Sequence, residues 1–153
     1  MYNPINASIP NIEAWLSNKP TLSTQFPHWL IAAPNEIFTP PLTDIKQRAI
    51  SEWYLVCVEI SATFSNNAQE KQQWLQLAYA YLQKMAINTD YDAEVRKWCL
   101  LRLDRLIIAL LEVCPQTNSD PTSLIEAHIS FMGGQGHRNL PRHLKTTSSQ
   151  ATR

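Results

Sequence analysis

The stretch DYDAEVRKWCLLRLDRLIIALLEVC, residues 90–114, decides the fold of this chain. It has neither glycine nor proline, and apolar residues occupy nearly every side of a helical wheel. Val95, Cys99, Leu103, Leu106, Leu110 and Val113 form one stripe at steps of three and four, the signature of a helix face turned to a core. Trp98, Leu101 and Ile108 lie on a second side, so this helix needs cover on more than one face. Arg102, Asp104 and Arg105 interrupt it in the middle. Charges there are costly in a bilayer, and the apolar runs between them are too short to span one. The stretch reads as the central helix of a helical bundle outside the membrane.

Working outward, residues 43–65 and 68–86 read as two further long helices. Ile45, Ala49, Trp53, Cys57, Ile60 and Phe64 stripe the first, with Thr43 as its cap; Trp74, Ala78, Tyr81, Leu82 and Met85 stripe the second. Asn67 with Glu70 three residues on marks the start of the second. Such short links favour antiparallel neighbours. The central helix is expected to stop at Cys114-Pro115. Asp120 and Pro121 open a shorter helix, TSLIEAHISFM, which the sequence ends at Gly133.

Residues 1–42 hold seven of the ten prolines. Proline removes an amide donor and pushes its predecessor out of the α region, so an extended arm is expected here. One short helix is expected near residues 11–17, and a turn near residues 27–33. The arm carries Trp15, Phe26, Trp29 and Phe38, aromatics that must be pinned either to the chain's own bundle or to a partner. The fold class is therefore all-α: an antiparallel bundle of three long helices plus one or two short ones. Residues 1–42 form a Pro-rich arm packed on it, residues 43–133 the bundle, and residues 134–153 a flexible basic tail.

Composition narrows the function classes. Hydrophobic residues make up 44% of the 153 and charged residues 17%, which excludes a disordered chain. Thirteen Lys/Arg against thirteen Asp/Glu give no net field to attract a polyanion. The distribution is uneven: after Glu126 there is no acid, and the basic charge gathers in the tail. Cys57, Cys99 and Cys114 form no CxxC pair and sit in apolar runs, as reduced thiols of a cytoplasmic protein would. The start of the chain lacks a basic leader and an apolar stretch, so no signal peptide is expected.

All three glycines lie at 133, 134 and 136. A phosphate-cradling loop needs glycine between a strand and a helix, so residues 1–132 cannot hold one. The four histidines have no helix-spaced ligand partners; His128 and Glu126 stand two apart and point to different faces. Asp90, Asp92 and Glu94 suit the positive end of a helix dipole better than acid–base chemistry. No metal or cofactor is expected, and no catalytic residue.

Two short motifs resemble known families. Gly133-Gly134-Gln135 resembles the catalytic tripeptide of peptide-chain release factors, although that family sets it on a loop and continues with His-Val-Asn, where this chain has Gly136-His137-Arg138. Residues 138–143, RNLPRH, resemble the Arg-x4-His pattern of HEPN-type ribonucleases. That resemblance implies an all-helical RNA-cleaving site using Arg138 and His143. Pro141 within the motif departs from the helix on which that family carries the pair.

On the second side of the central helix, Glu94, Trp98, Leu101, Arg102, Arg105 and Glu112 line up. Arg102, one turn beyond Trp98, is placed to stack on it, and these residue types dominate protein–protein hot spots. Either the arm covers this face or the face meets a partner. The expected function is a non-enzymatic helical protein-interaction module, an adaptor, assembly or regulatory subunit, with a homodimer as one form. The alternative is a nucleic-acid-associated protein that holds a polyanion with Arg138, Arg142, His143 and Lys145, and after it a HEPN-like ribonuclease.

Overall fold

A computed structural model describes residues 4–63 and 67–139, and these residues form helices without strands. In chain order they are α1 (Pro4–Ser17), a 3-10 turn Ser23–Gln25, α2 (Phe26–Ile31), a second 3-10 turn Asn35–Phe38, α3 (Asp44–Thr63), α4 (Ala68–Ala86), α5 (Ala93–Thr117) and α6 (Pro121–Asn139). The fold is all-α.

Helix α5 lies against α4 along most of its length, α4 against α3, and α6 against α5. The stripe read from the sequence is the buried one. Cys99, Leu103 and Leu106 are fully enclosed, and Leu110 and Val113 are buried beside them. They join Trp53, Val56 and Ile60 of α3 and Leu75, Ala78 and Leu82 of α4 in one core. All three cysteines are free and buried. Burial pushes the Cys57 thiol far above its usual range and the Cys99 thiol up to about 12, as expected for inert core thiols.

The caps are those the residue types dictate. Asn67 accepts from the Glu70 amide at 3.0 Å, and Asp120 accepts from the Thr122 amide at 3.0 Å and the Ser123 hydroxyl at 2.7 Å. Helix α5 does not stop at Pro115. It runs one turn further and closes at Asn118, a non-glycine residue at φ 55°. Pro115 is exposed, and its missing amide removes one intrahelical bond without ending the helix. The closing turn is held by Ser119, whose amide donates to Cys114 at 3.2 Å and whose hydroxyl accepts from Gln72 of α4 at 2.6 Å.

Two other expectations are corrected. The N-terminal segment opens with a 14-residue helix containing Pro10, longer than the short helix near residues 11–17. Pro4 stands at its first position, where a missing amide costs nothing, and Pro10 lies on the exposed side. Ile12, Trp15 and Leu16 on its inner side are buried, and that packing outweighs one lost hydrogen bond. Likewise α6 does not end at Gly133 but continues to Asn139. Neither Gly133 nor Gly134 takes the left-handed conformation of a helix stop. Gln135, just beyond them, is buried, so tertiary contact carries the helix past two residues of poor propensity. The last helix is thus long, not short.

The N-terminal segment is knit by two tryptophans. Trp15 of α1 and Trp29 of α2 stack with ring centroids 4.0 Å apart and planes 7° from parallel. Each indole N–H donates to the other residue's backbone carbonyl at 2.8 Å. Both carbonyls belong to the last turns of their helices, and that of Trp15 also accepts from the Asn18 amide at 3.2 Å. The segment then packs on α3 through α1, α2 and the turn Asn35–Phe38. Phe38 packs against Trp53 of α3 at 5.0 Å and Tyr81 of α4 at 4.4 Å.

Two outcomes follow from this packing. Leu106→Ala, which empties a fully enclosed site, should cost about 2–5 kcal/mol in denaturant unfolding; a loss below about 0.5 kcal/mol would place Leu106 outside the core. Gly133→Ala and Gly134→Ala should each stabilise α6 by about 0.5–1 kcal/mol, because an added Cβ meets nothing within 4 Å at either position. A destabilisation in native-state hydrogen exchange would show that α6 does not continue through the glycines.

Candidate functional site

The outer face of α5 lies opposite the core stripe. Successive residues of a helix advance 100°, so Glu94, Trp98, Leu101, Arg105, Ile108 and Glu112 fall within one side of the wheel. The N-terminal segment packs mainly on α3, and its Leu42 comes beside Glu94 and Trp98 at one end of this side. Glu94, Arg105 and Glu112 are exposed, and Trp98 and Arg102 are half-buried. Leu101 is 52% exposed and Ile108 58%. The residues singled out from the sequence therefore share one surface, and Ile108 joins them.

Trp98 and Arg102 are an ordered pair within it. The Arg102 guanidinium carbon sits 4.2 Å from the centroid of the Trp98 ring, close enough for a cation–π contact. The Trp98 ring meets Tyr54 of α3 edge-on at 6.3 Å. Burial raises the Tyr54 phenol above its usual range, and Arg105 and Arg102 partly offset that rise, so both cations stand near the seam between α3 and α5. Beside it a cleft of about 230 Å³ is lined by Leu42, Gln47, Ile50, Met85, Val95 and Trp98. Isolated exposed hydrophobes elsewhere need no explanation. On α6, Ile125 and Ile129 also lie open one turn apart, with no aromatic or cationic anchor beside them on that helix.

A second constellation escaped the sequence reading. His128 of α6 is buried and bridges two other helices. Its Nε2 lies 2.8 Å from Asp104 Oδ1 of α5, and its Nδ1 lies 2.7 Å from the Tyr79 hydroxyl of α4. A carboxylate only accepts, so Nε2 carries a proton, and in the neutral imidazole Nδ1 then accepts from the phenol. Tyr, His and Asp in a row have the order of a nucleophile, base and carboxylate. Here, however, burial and the Asp104 charge both raise the Tyr79 pKa, the reverse of what activates a phenol as a nucleophile. The row is a latch that fastens α6. Glu126, two residues away, is exposed and takes no part. The signals in the sequence were an Asp within an apolar helix and a His on the stripe Leu124, His128, Phe131, Gln135.

The remaining sequence candidates are not assembled into a site. Gly133-Gly134-Gln135 lies inside α6 with Gln135 buried, not on a loop. Arg138 belongs to the last turn of α6, but its side chain, together with Arg142, His143 and Lys145, lies outside the described residues. Among the described residues no group of three His, Cys, Asp or Glu side chains is placed to hold a metal ion, and no helix is long and apolar enough to cross a membrane. The chain matches no family model, no curated protein and no solved structure.

The latch makes a measurable claim. His128→Ala leaves Tyr79 and Asp104 without their shared partner and should cost about 1–3 kcal/mol in chemical unfolding, while Tyr79→Phe should cost about 0.5–1.5 kcal/mol. If both variants unfolded like the wild type, the three groups would not be coupled.

Proposed function

We propose that this chain is a non-enzymatic helical protein-interaction module, an adaptor, assembly or regulatory subunit, that docks through the outer face of α5. One observation carries the reading. Leu101 and Ile108 are each more than half exposed two turns apart, beside an Arg102 guanidinium stacked on Trp98, and the N-terminal segment that had the aromatics to cover them lies on α3 instead. Open aliphatic side chains beside a Trp–Arg anchor are the anatomy of a protein interface.

The same reading takes α3, α4 and α5 as an antiparallel bundle with the proline-rich segment wrapped over α3, so that α5 presents one free side. The brief connections around residues 64–67 and 87–92 support that topology. Three buried free thiols fit a reducing compartment, the cytoplasm.

The test pairs the wild type with a Leu101→Ser/Ile108→Ser double variant as baits in cell extract. Both positions are open, so unfolding stability should stay within about 1 kcal/mol of the wild type. Recovery of a protein partner, or of a second tagged copy, should fall by at least about tenfold, the equivalent of 1.4 kcal/mol of interface energy. Recovery of nucleic acid alone, unaffected by the double variant, would overturn the reading in favour of the basic C-terminal residues.

A further inference from the structure

We infer that the occupant of the α5 outer face around Arg105, Ile108 and Glu112 is the same stretch of a second copy of this chain. The two copies are related by a two-fold axis beside Ile108, with Arg105 of each against Glu112 of the other. The inference rests on that face being the docking surface, and it names the partner.

The charges on the face choose the occupant. Glu94 and Glu112 stand toward its two ends, and Arg102 and Arg105 in its middle. With exposed Lys97 and Asp104 at its edge, the face carries three acids and three bases and has no net charge, so neither a polyanion nor a basic surface matches it throughout. Arg102 is already engaged with Trp98. Arg105 and Glu112 are exposed, and among the described residues neither has an ion-pair partner. They lie seven residues apart, two helical turns or about 10 Å along the axis. On one helix they are too far apart to pair. Across an antiparallel two-fold they fall opposite each other twice, because an isologous contact repeats every pairing.

The same charges choose the register. An axis at Leu103 would set Glu94 against Glu112 of the second copy. An axis midway between Glu94 and Arg105 would set Lys97 close to Arg102 of the second copy. An axis between Ile108 and Ala109 avoids both clashes. It brings the two Ile108 side chains together and lays Leu101 over the end of the other α5, near Gln116. Ala109 beside the axis is small and half-buried, which lets two helix axes approach to about 8–10 Å. A single helix pair is a small interface, so the dimer is expected to be reversible.

The experiment is sedimentation equilibrium of the purified full chain over a wide concentration series. The wild type should show a monomer–dimer equilibrium. Arg105→Glu and Glu112→Arg should each weaken it by at least about tenfold, through like-charge apposition. The combined Arg105→Glu/Glu112→Arg variant, which restores both pairings with their signs exchanged, should recover dimerisation to within about threefold of the wild type. Position is read separately by crosslinking. Ile108→Cys should form a disulfide-linked dimer under a mild thiol oxidant, since its Cα atoms face each other within bridging distance. Leu101→Cys, about 20 Å from its own copy across the axis, should not. A strictly monomeric wild type, a dimer indifferent to both reversals, or an exchanged variant that fails to recover would each overturn the inference. If the monomer still lost a captured protein on Leu101→Ser/Ile108→Ser substitution, the second copy would be ruled out as occupant while the docking surface stood.

Discussion

The reciprocal bonding of Trp15 and Trp29 is the constraint from which the rest of the arrangement follows. A tryptophan brings large apolar area and one N–H that must be satisfied when buried. In this chain each of the two solves the other's problem, stacking ring on ring and donating to a carbonyl of the other's last helical turn. The 14-residue α1 and the short α2 thereby become one unit. That unit packs on α3 through both of its helices. Had either indole lacked its carbonyl, the segment would have had to seek an acceptor elsewhere. With both satisfied, the segment packs on α3, and Leu101 and Ile108 of α5 stay more than half exposed.

Much of this was legible in the sequence wherever a local pattern and the tertiary demand agree. The stripe of α5 is such a case, since its three-and-four spacing is long enough to outvote any single residue. The Asn67 and Asp120 caps are others, because their oxygens reach amides only two or three residues away. The outer-face residues were legible for the same reason: one helix, one period. The readings that failed are those where a local signal competed with packing. Pro10 and Gly133 both argue against helix, yet each lies on an exposed side of a helix whose opposite side is buried. The loss at such a position is one hydrogen bond or about 1 kcal/mol, and several enclosed side chains exceed it.

The Tyr79–His128–Asp104 row was illegible for a different reason. Its members come from three helices and are separated by 49 and 24 residues, so no spacing rule on one helix can reveal it. Only the oddness of each residue in its own context was visible: a charge in an apolar helix, and an imidazole on a buried stripe. Those two oddities resolve each other once α6 lies on α5. A buried imidazole without acceptor and donor would be costly, and a carboxylate beside it fixes the tautomer that lets the phenol complete the row.

The charges of α5 therefore divide by use. Asp104, itself exposed, is spent on His128 of α6. Arg102 is spent on Trp98. Arg105 and Glu112 remain exposed, flanking Ile108, itself 58% exposed. Solvated charges alone would be unremarkable, because an exposed side of a helix is where charges belong. The company they keep is less ordinary: two large aliphatic side chains left open in a helix that could have carried lysine or glutamate there without disturbing the core. Apolar exposure between opposite charges two turns apart is costly for an isolated helix and useful for a helix that meets its own image, since one set of residues then supplies both the greasy centre and the matched rim.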